Sequence, residues 1–69
     1  MLNSYFWTGV DGLQHWSVVS FDYMVDQLEH HSRIVEVWEL IHKRSKLTIM
    51  SDLERVWGAG DELRSPKRR

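Results

Sequence analysis

Apolar and polar positions alternate at helical spacing between Ser20 and Lys46, the longest patterned stretch of the sequence. Both sets step by three or four residues over about six turns, which is typical of an amphipathic helix. The positions on the first face are Phe21, Met24, Val25, Leu28, His31, Val35, Trp38 and then Ile41 or His42. Ser20 suits the helix start as an N-cap, and the basic run at 43–46 suits its end. The pattern predicts one long helix over 20–46.

This helix has one weak point and one rival interpretation. The His30-His31-Ser32 segment could break it, and residues 34–41 are rich in β-branched side chains, which favour a strand. The helix is preferred because neither face of such a strand would be cleanly apolar. Unbroken, it would measure about 40 Å, longer than a compact domain of this size. Ile34, Val37 and Ile41 would form a second apolar strip beside the first.

The segment 2–19 reads as a β-hairpin. Asp11-Gly12 is a tight-turn signal because glycine accepts the positive φ that such a turn requires, although Gly9 and Gly12 together also allow a longer loop. The pairs predicted by the tight turn are Val10–Leu13, Trp7–Trp16 and Tyr5–Val18. An isolated two-stranded hairpin is marginal in water. Its apolar side should therefore pack on the helix, on a second subunit, or on both.

The segment 48–64 predicts a second, shorter helix. Ser51-Asp52-Leu53-Glu54 matches a capping box, and Gly58-Ala59-Gly60 weakens or ends the helix. The remaining residues, 65–69, are expected to form a basic, disordered tail. The sequence thus predicts a single domain over 1–64 with an α+β, mainly α fold: an N-terminal hairpin, one long helix and one short helix.

Composition and charge narrow the classes of partner. The 69 residues include no cysteine, which excludes disulfides and thiolate metal sites, but four Trp, two Tyr and two Phe. Residues 1–63 hold ten Asp/Glu against five Lys/Arg, whereas 64–69 hold four Lys/Arg. An acidic body argues against nucleic acid as the main partner. No apolar run is long enough to span a membrane and no signal-peptide pattern opens the chain, so a cytoplasmic location is expected.

Catalytic and metal-binding motifs are not found. The sequence has no Gly-x-Ser-x-Gly, phosphate loop or His-Glu-x-x-His, and its paired carboxylates fit a solvated face. On one helix His31 and His42 would lie about 16 Å apart, too far for a shared metal ion. We therefore expect no enzyme activity, no cofactor and no metal.

Excess aromatic residues, an overlong helix and a second apolar strip predict a protein-binding module that forms a homodimer. The expected partner-binding residues are Trp38, Ile34, Val37 and Ile41 of the long helix, Tyr5 and Trp7 of the hairpin, and Lys43, Arg44 and Lys46 as a charged rim. The alternative is a small DNA-binding regulator with a helix-turn-helix-like pair at 35–44 and 51–57. A membrane-surface helix is disfavoured because the polar face is mainly acidic.

In its size, its lack of cysteine and its lack of catalytic motifs, the chain resembles the small early proteins by which bacteriophages inhibit host factors. The resemblance spans the whole length and rests on no diagnostic motif, so no functional residue is carried over from it. Members of that class often dimerise, and their targets include polymerase, CRISPR effectors, quorum-sensing activators and pilus-assembly ATPases. The resemblance implies an inhibitor or modulator of a host regulatory protein or motor ATPase, acting in the host cytoplasm.

Overall fold

The computed structural model describes residues 1–30, 33–44 and 47–61. The elements within these ranges are β1 (Asn3–Gly9), β2 (Gln14–Val19), α1 (Phe21–His30), β3 (Ile34–Leu40), a 3-10 turn (Met50–Asp52) and β4 (Leu53–Gly58). The strands form one antiparallel sheet in the order β2-β1-β3-β4. Helix α1 connects the edge strand β2 to the inner strand β3. None of the helices in these ranges combines the length and apolar content that crossing a membrane requires.

The prediction of a mainly α, helical protein is wrong. Strands hold 46% of the described residues and helices 23%, so the sheet dominates. The long helix predicted over 20–46 ends at His30, and Ile34–Leu40 is a strand instead. β-branched residues favour that strand, and β1 and β4 pair with it on both sides. The register shift between β1 and β3 puts Ile34 and Val37 on one face of the sheet, where both are buried, so strict alternation along the sequence underestimates how apolar that face is.

The short helix predicted over 48–64 does not form in the described part of that segment. Asp52 accepts the backbone N–H of Ile49 at 2.9 Å and closes a single 3-10 turn, after which β4 begins. The helix pair proposed for DNA binding at 35–44 and 51–57 is therefore also wrong, because these segments contribute β3 and β4. Residues 31 and 32, Lys46 and the predicted tail at 65–69 lie outside the described residues.

The N-terminal hairpin lies within 2–19 but has a longer turn than the preferred one. Its loop, Val10–Gly12, has three residues, and the N–H of Gly9 donates to the carbonyl of Leu13 at 2.9 Å across the loop base. Gly12 adopts φ +84°, as the last residue of such a loop does. The additional loop residue changes the register of the whole hairpin.

The observed register moves Trp16 to the other face of the sheet. Trp7 pairs with His15 and Phe6 pairs with Trp16, whereas the tight turn would have paired Trp7 with Trp16. A slip of one residue reverses the face that each side chain occupies. Trp16 therefore lies on the side opposite Trp7.

The core lies between α1 and the sheet face that carries Tyr5 and Trp7. Its buried residues are Tyr5, Met24, Leu28, Ile34, Val37, Val56 and Trp57, with Trp7 and Val19 packed against them. Met24 and Leu28 lie one turn apart on α1, as the helical pattern requires. α1 thus covers one face of the sheet, and no element of the described ranges covers the other.

Candidate interaction surface on the open sheet face

A row of aromatic side chains crosses the sheet on the side opposite α1. Residues directly opposite each other on paired strands point to the same face. The register aligns Trp16 of β2, Phe6 of β1, Trp38 of β3 and Arg55 of β4. The rings of Phe6 and Trp16 have centroids 4.9 Å apart and planes tilted by 45°, within the range of favourable aromatic pairs. Phe6 and Trp16 are thus in contact, and the register places Trp38 beside Phe6 on the same face.

The side that carries this row is termed the open face. Its members by strand alternation and register are Ser4, Phe6, Thr8, Gln14, Trp16, Val18, Glu36, Trp38, Leu40, Leu53 and Arg55. Trp16 is 51% exposed and Val18 62% exposed, while Phe6 and Trp38 are half-buried. Single exposed apolar residues are ordinary, but a connected exposed patch marks an interaction surface. The open face joins the exposed residues Trp16 and Val18 to half-buried apolar neighbours and is the candidate interaction surface.

Arg55 ends the aromatic row with a charge that is already paired. Its Nε donates to Glu36 Oε2 at 3.2 Å, and its Nη1 lies 3.6 Å from Asp61 Oδ2. The guanidinium passes over Gly58, where a Cβ would collide with it. Arg55 is the one Lys or Arg on the open face among the described residues. This face consequently offers phosphate groups little positive charge.

Three of the predicted partner-binding residues lie in the core. Tyr5 and Val37 have no exposed surface, and Ile34 is 8% exposed. In a helix Ile34, Val37 and Ile41 would share a face, but in a strand Val37 and Trp38 point to opposite faces. Ile41 is half-buried just beyond β3. Of the residues predicted on the long helix, Trp38 is the one that the strand directs to the open face.

Trp7 borders a cleft between α1 and the β1–β2 hairpin. The cleft has a volume of about 350 Å³ and is lined by Trp7, Ser17, Val19, Tyr23, Met24, Gln27, Arg33 and Ile34. Trp7 Nε1 donates to Ser17 Oγ at 2.9 Å, and its ring stacks on His15 with centroids 4.3 Å apart. The indole N–H of Trp7 and the hydroxyl of Ser17 are thus already hydrogen-bonded to each other. We assign no ligand to the cleft.

The predicted charged rim is a loop with a structural ion pair. Lys43 and Arg44 are exposed in the connection between β3 and β4. Arg44 Nε lies 2.6 Å from Oδ1 of Asp52, whose side chain is fully buried. The carbonyl of Asp52 also accepts the N–H of Ile41 at 2.8 Å. Arg44 therefore compensates a buried charge, and Lys46 lies outside the described residues.

One group of side chains on α1 has metal-ligand chemistry. The ligand atoms of Asp26, Glu29 and His30 lie within 4.8 Å of one another, and all three residues are exposed. His30 Nδ1 lies 2.9 Å from the Asp26 carbonyl and 3.2 Å from its carboxylate. The hydrogen bond to that carbonyl, and then the Asp26 charge, raise the pKa of His30. Exposed acidic groups often cluster in this way without a metal ion, and we assign none here.

Sequence reasoning did not identify Phe6 and Trp16 as neighbours on an uncovered face. It placed Trp16 opposite Trp7, on the side expected to be packed. The signal that points to the observed arrangement is the pair Gly9 and Gly12, which permits the longer loop.

Comparisons with models of protein families, with curated proteins and with solved structures gave no match.

Proposed function

We propose that this protein is a binding module that acts on another protein through the open face and carries out no reaction of its own. The observation that carries the proposal is the uncovered row formed by Trp16, Phe6 and Trp38. Aromatic residues supply much of the binding energy at interfaces. A sheet holds them in place before binding, which lowers the entropy lost on association.

The open face has the layout of an interface. Its centre is the aromatic row, Val18, Leu40 and Leu53 extend the apolar area, and the Arg55–Glu36 pair forms a polar rim. The aromatic row and the Arg55 that ends it cross four strands, so together they span three inter-strand spacings, about 14 Å. That distance equals roughly two to three turns of α-helix. The apolar face of an amphipathic helix laid across the strands is therefore the partner element that fits best.

A host regulatory protein or motor ATPase remains the proposed class of partner, and inhibition or modulation the proposed outcome. This part of the proposal is supported by the resemblance in size and character to the early proteins of bacteriophages. A cytoplasmic location belongs to the same proposal and is compatible with a chain that has no cysteine.

Single-stranded nucleic acid is the competing ligand class. Antiparallel sheets with exposed aromatic residues can stack bases. Such binding also requires cations along the phosphate path, whereas Arg55 is paired with Glu36. The outward side of α1 carries Asp22, Asp26 and Glu29. These charges favour a protein partner over a nucleic acid.

The test is a binding measurement with matched variants. A partner captured from the native host is purified, and its affinity is measured for the wild type, for Trp38→Ser on the open face and for Leu13→Ser at the hairpin turn, where Leu13 is 60% exposed. Truncating a hot-spot residue costs at least about 2 kcal/mol, which is roughly 30-fold in affinity. We expect that loss for Trp38→Ser and less than about 2-fold for Leu13→Ser.

Salt dependence separates the two ligand classes. Affinity for a protein bound through apolar residues should change little between about 50 and 200 mM salt, while phosphate contacts would weaken it by orders of magnitude. Equal binding by Trp38→Ser and Leu13→Ser, or capture of nucleic acid alone, would overturn the proposal.

A further inference from the structure

We propose that the outer edge of β2 pairs with β2 of a second copy of this chain, which makes a two-fold dimer with one continuous eight-stranded sheet. β2 is an edge strand. Edge strands present unpaired N–H and C=O groups, and proteins usually guard them with Lys, Pro, a bulge or a short strand. The β2 sequence Gln-His-Trp-Ser-Val-Val has six residues, no Lys and no Pro. Its register with β1 is regular throughout.

The hairpin turn determines which groups face the edge. In an antiparallel pair, hydrogen-bonded and non-hydrogen-bonded residue pairs alternate. The Gly9–Leu13 bond at the turn sets this alternation, so His15 and Ser17 direct their backbone groups to β1. The residues whose backbone groups point outward are Gln14, Trp16 and Val18. A strand that pairs at this edge would form hydrogen bonds with these backbone N–H and C=O groups.

The opposite edge of the sheet is guarded. β4 carries the charged residues Glu54 and Arg55, and its register with β3 shifts at a bulge between Val37 and Trp38. Charge and irregularity both discourage strand addition there. The difference between the two edges singles out β2 as the edge that accepts a strand.

A second copy suits this edge because β2 is complementary to itself. A two-fold axis through Ser17 places Trp16 of each copy opposite Val18 of the other, and aromatic residues pair favourably with β-branched ones. These are the two most exposed apolar side chains of β2. β2 carries no Lys, Arg, Asp or Glu, so two copies meet there without repulsion.

The dimer would also enlarge the binding surface. A two-fold axis perpendicular to the sheet keeps the open faces of both copies on the same side. The two aromatic rows then lie on one sheet and meet at their Trp16 ends. This inference does not depend on the proposed partner, since Trp38→Ser should weaken partner binding roughly 30-fold and leave the dimer intact.

The first test is sedimentation equilibrium on the full chain up to hundreds of micromolar. We expect a species of twice the 8.3 kDa chain mass. Val18→Pro removes an outward N–H that β1 does not use, and Val18→Lys adds a charge to the edge. Both should weaken the dimer at least about 10-fold, while Val18→Thr should not. Circular dichroism checks that each variant retains the sheet.

The second test uses the absence of cysteine in the chain. Ser17→Cys places two thiols opposite each other at the two-fold, with Cα atoms about 4.5–5.5 Å apart, which a disulfide can span. His15→Cys is the matched control on the same strand and face, where the two thiols would lie about 13 Å apart along the strands. Ser17→Cys should form a linked dimer at least about 10-fold faster.

Three results would overturn the β2 dimer. A wild-type chain that stays at 8.3 kDa at every concentration excludes it. Equal cross-linking of Ser17→Cys and His15→Cys excludes this pairing. A dimer that persists in both Val18→Pro and Val18→Lys but is lost in Trp38→Ser would assign dimerisation to the open face instead.

Discussion

Phe6 and Trp16 face each other across β1 and β2, with ring centroids 4.9 Å apart, on the side of the sheet that α1 leaves uncovered. The pair exists because the hairpin loop has three residues. A two-residue loop would place Trp16 opposite Trp7, beneath the helix. One residue of loop length thus determines whether this tryptophan contributes to the core or to a surface.

Val37 and Trp38 are adjacent in sequence but should respond differently to truncation. Val37 is fully buried, so Val37→Ala removes two methyl groups from the core and should lower the free energy of unfolding by about 1–3 kcal/mol. Trp38→Phe shortens a side chain that is half-buried on the open face and should alter stability by less than about 1 kcal/mol. Urea unfolding of both variants measures the difference. Equal destabilisation would show that Trp38 belongs to the core.

Gly12 should tolerate asparagine better than alanine. At φ +84° a Cβ is strained, and Gly12→Ala should cost about 1–2 kcal/mol. For a domain of this size each kcal/mol corresponds to roughly 4–8 °C in the melting temperature. Asparagine adopts this conformation more readily than alanine does, so Gly12→Asn should lower the melting temperature less than Gly12→Ala. A melting temperature unchanged by Gly12→Ala would contradict the loop geometry and with it the register of the hairpin.

Arg44 should contribute more to stability than a surface arginine. Among the described residues Asp52 Oδ1 has no directed hydrogen bond, so Arg44, 2.6 Å away, compensates its buried charge. Arg44→Ala should cost about 1–3 kcal/mol, against 0–1 kcal/mol for an exposed pair.

The control for this ion pair is a double-mutant cycle. In an Asp52→Asn background the cost of Arg44→Ala should fall below about 0.5 kcal/mol, because no buried charge is left unpaired. Lys43→Ala, at the neighbouring exposed position, should stay within about 0.5 kcal/mol of the wild type. An equal cost of Arg44→Ala in both backgrounds would rule out the pair.

His30 should give α1 a pH-dependent stability. Its hydrogen bond to the Asp26 carbonyl, and then the Asp26 charge, raise its pKa above the ordinary 6.5. The folded state therefore binds the proton more tightly than the unfolded state. This stabilisation is complete below the unfolded pKa and is lost as the pH rises through the folded pKa.

The check is a comparison of the wild type with His30→Gln. The unfolding midpoint of the wild type should exceed that of the variant by the largest amount at about pH 5. This difference in midpoint should be smaller at about pH 8. An NMR titration should give a lower His30 pKa in Asp26→Asn. A difference in midpoint that is constant across this range would contradict the raised pKa.

Local chemistry in the sequence was sufficient for the start of the helix and for the range of the hairpin. Ser20 caps the helix as its position predicts, with Oγ accepting the N–H of Tyr23 at 3.1 Å. Met24 and Leu28 face the core at the predicted spacing. The hairpin range was also readable, but its register depended on a loop length that Gly9 and Gly12 left open.

The second half could not be predicted because its structure depends on distant partners. Ile34–Leu40 becomes a strand by pairing with β1, far away in sequence, and with β4. The apolar residues of this segment also recur at helical spacing, but the pairing with β1 and β4 stabilises the strand more than that spacing favours a helix. Asp52 caps a 3-10 turn at a position where the local pattern favoured a longer helix. Without the sheet, the open face could not be recognised.

Site-specific photo-cross-linking tests the open face most directly. Benzoylphenylalanine replaces Trp38 in cells where the protein is native, and the matched control carries it at Leu13. We predict one discrete protein adduct from position 38, much less from position 13, and a loss of the adduct when Trp16→Ser is added. Equal adducts from both positions, an adduct insensitive to Trp16→Ser, or cross-linking to nucleic acid alone would contradict the assignment of the open face as a protein-binding surface.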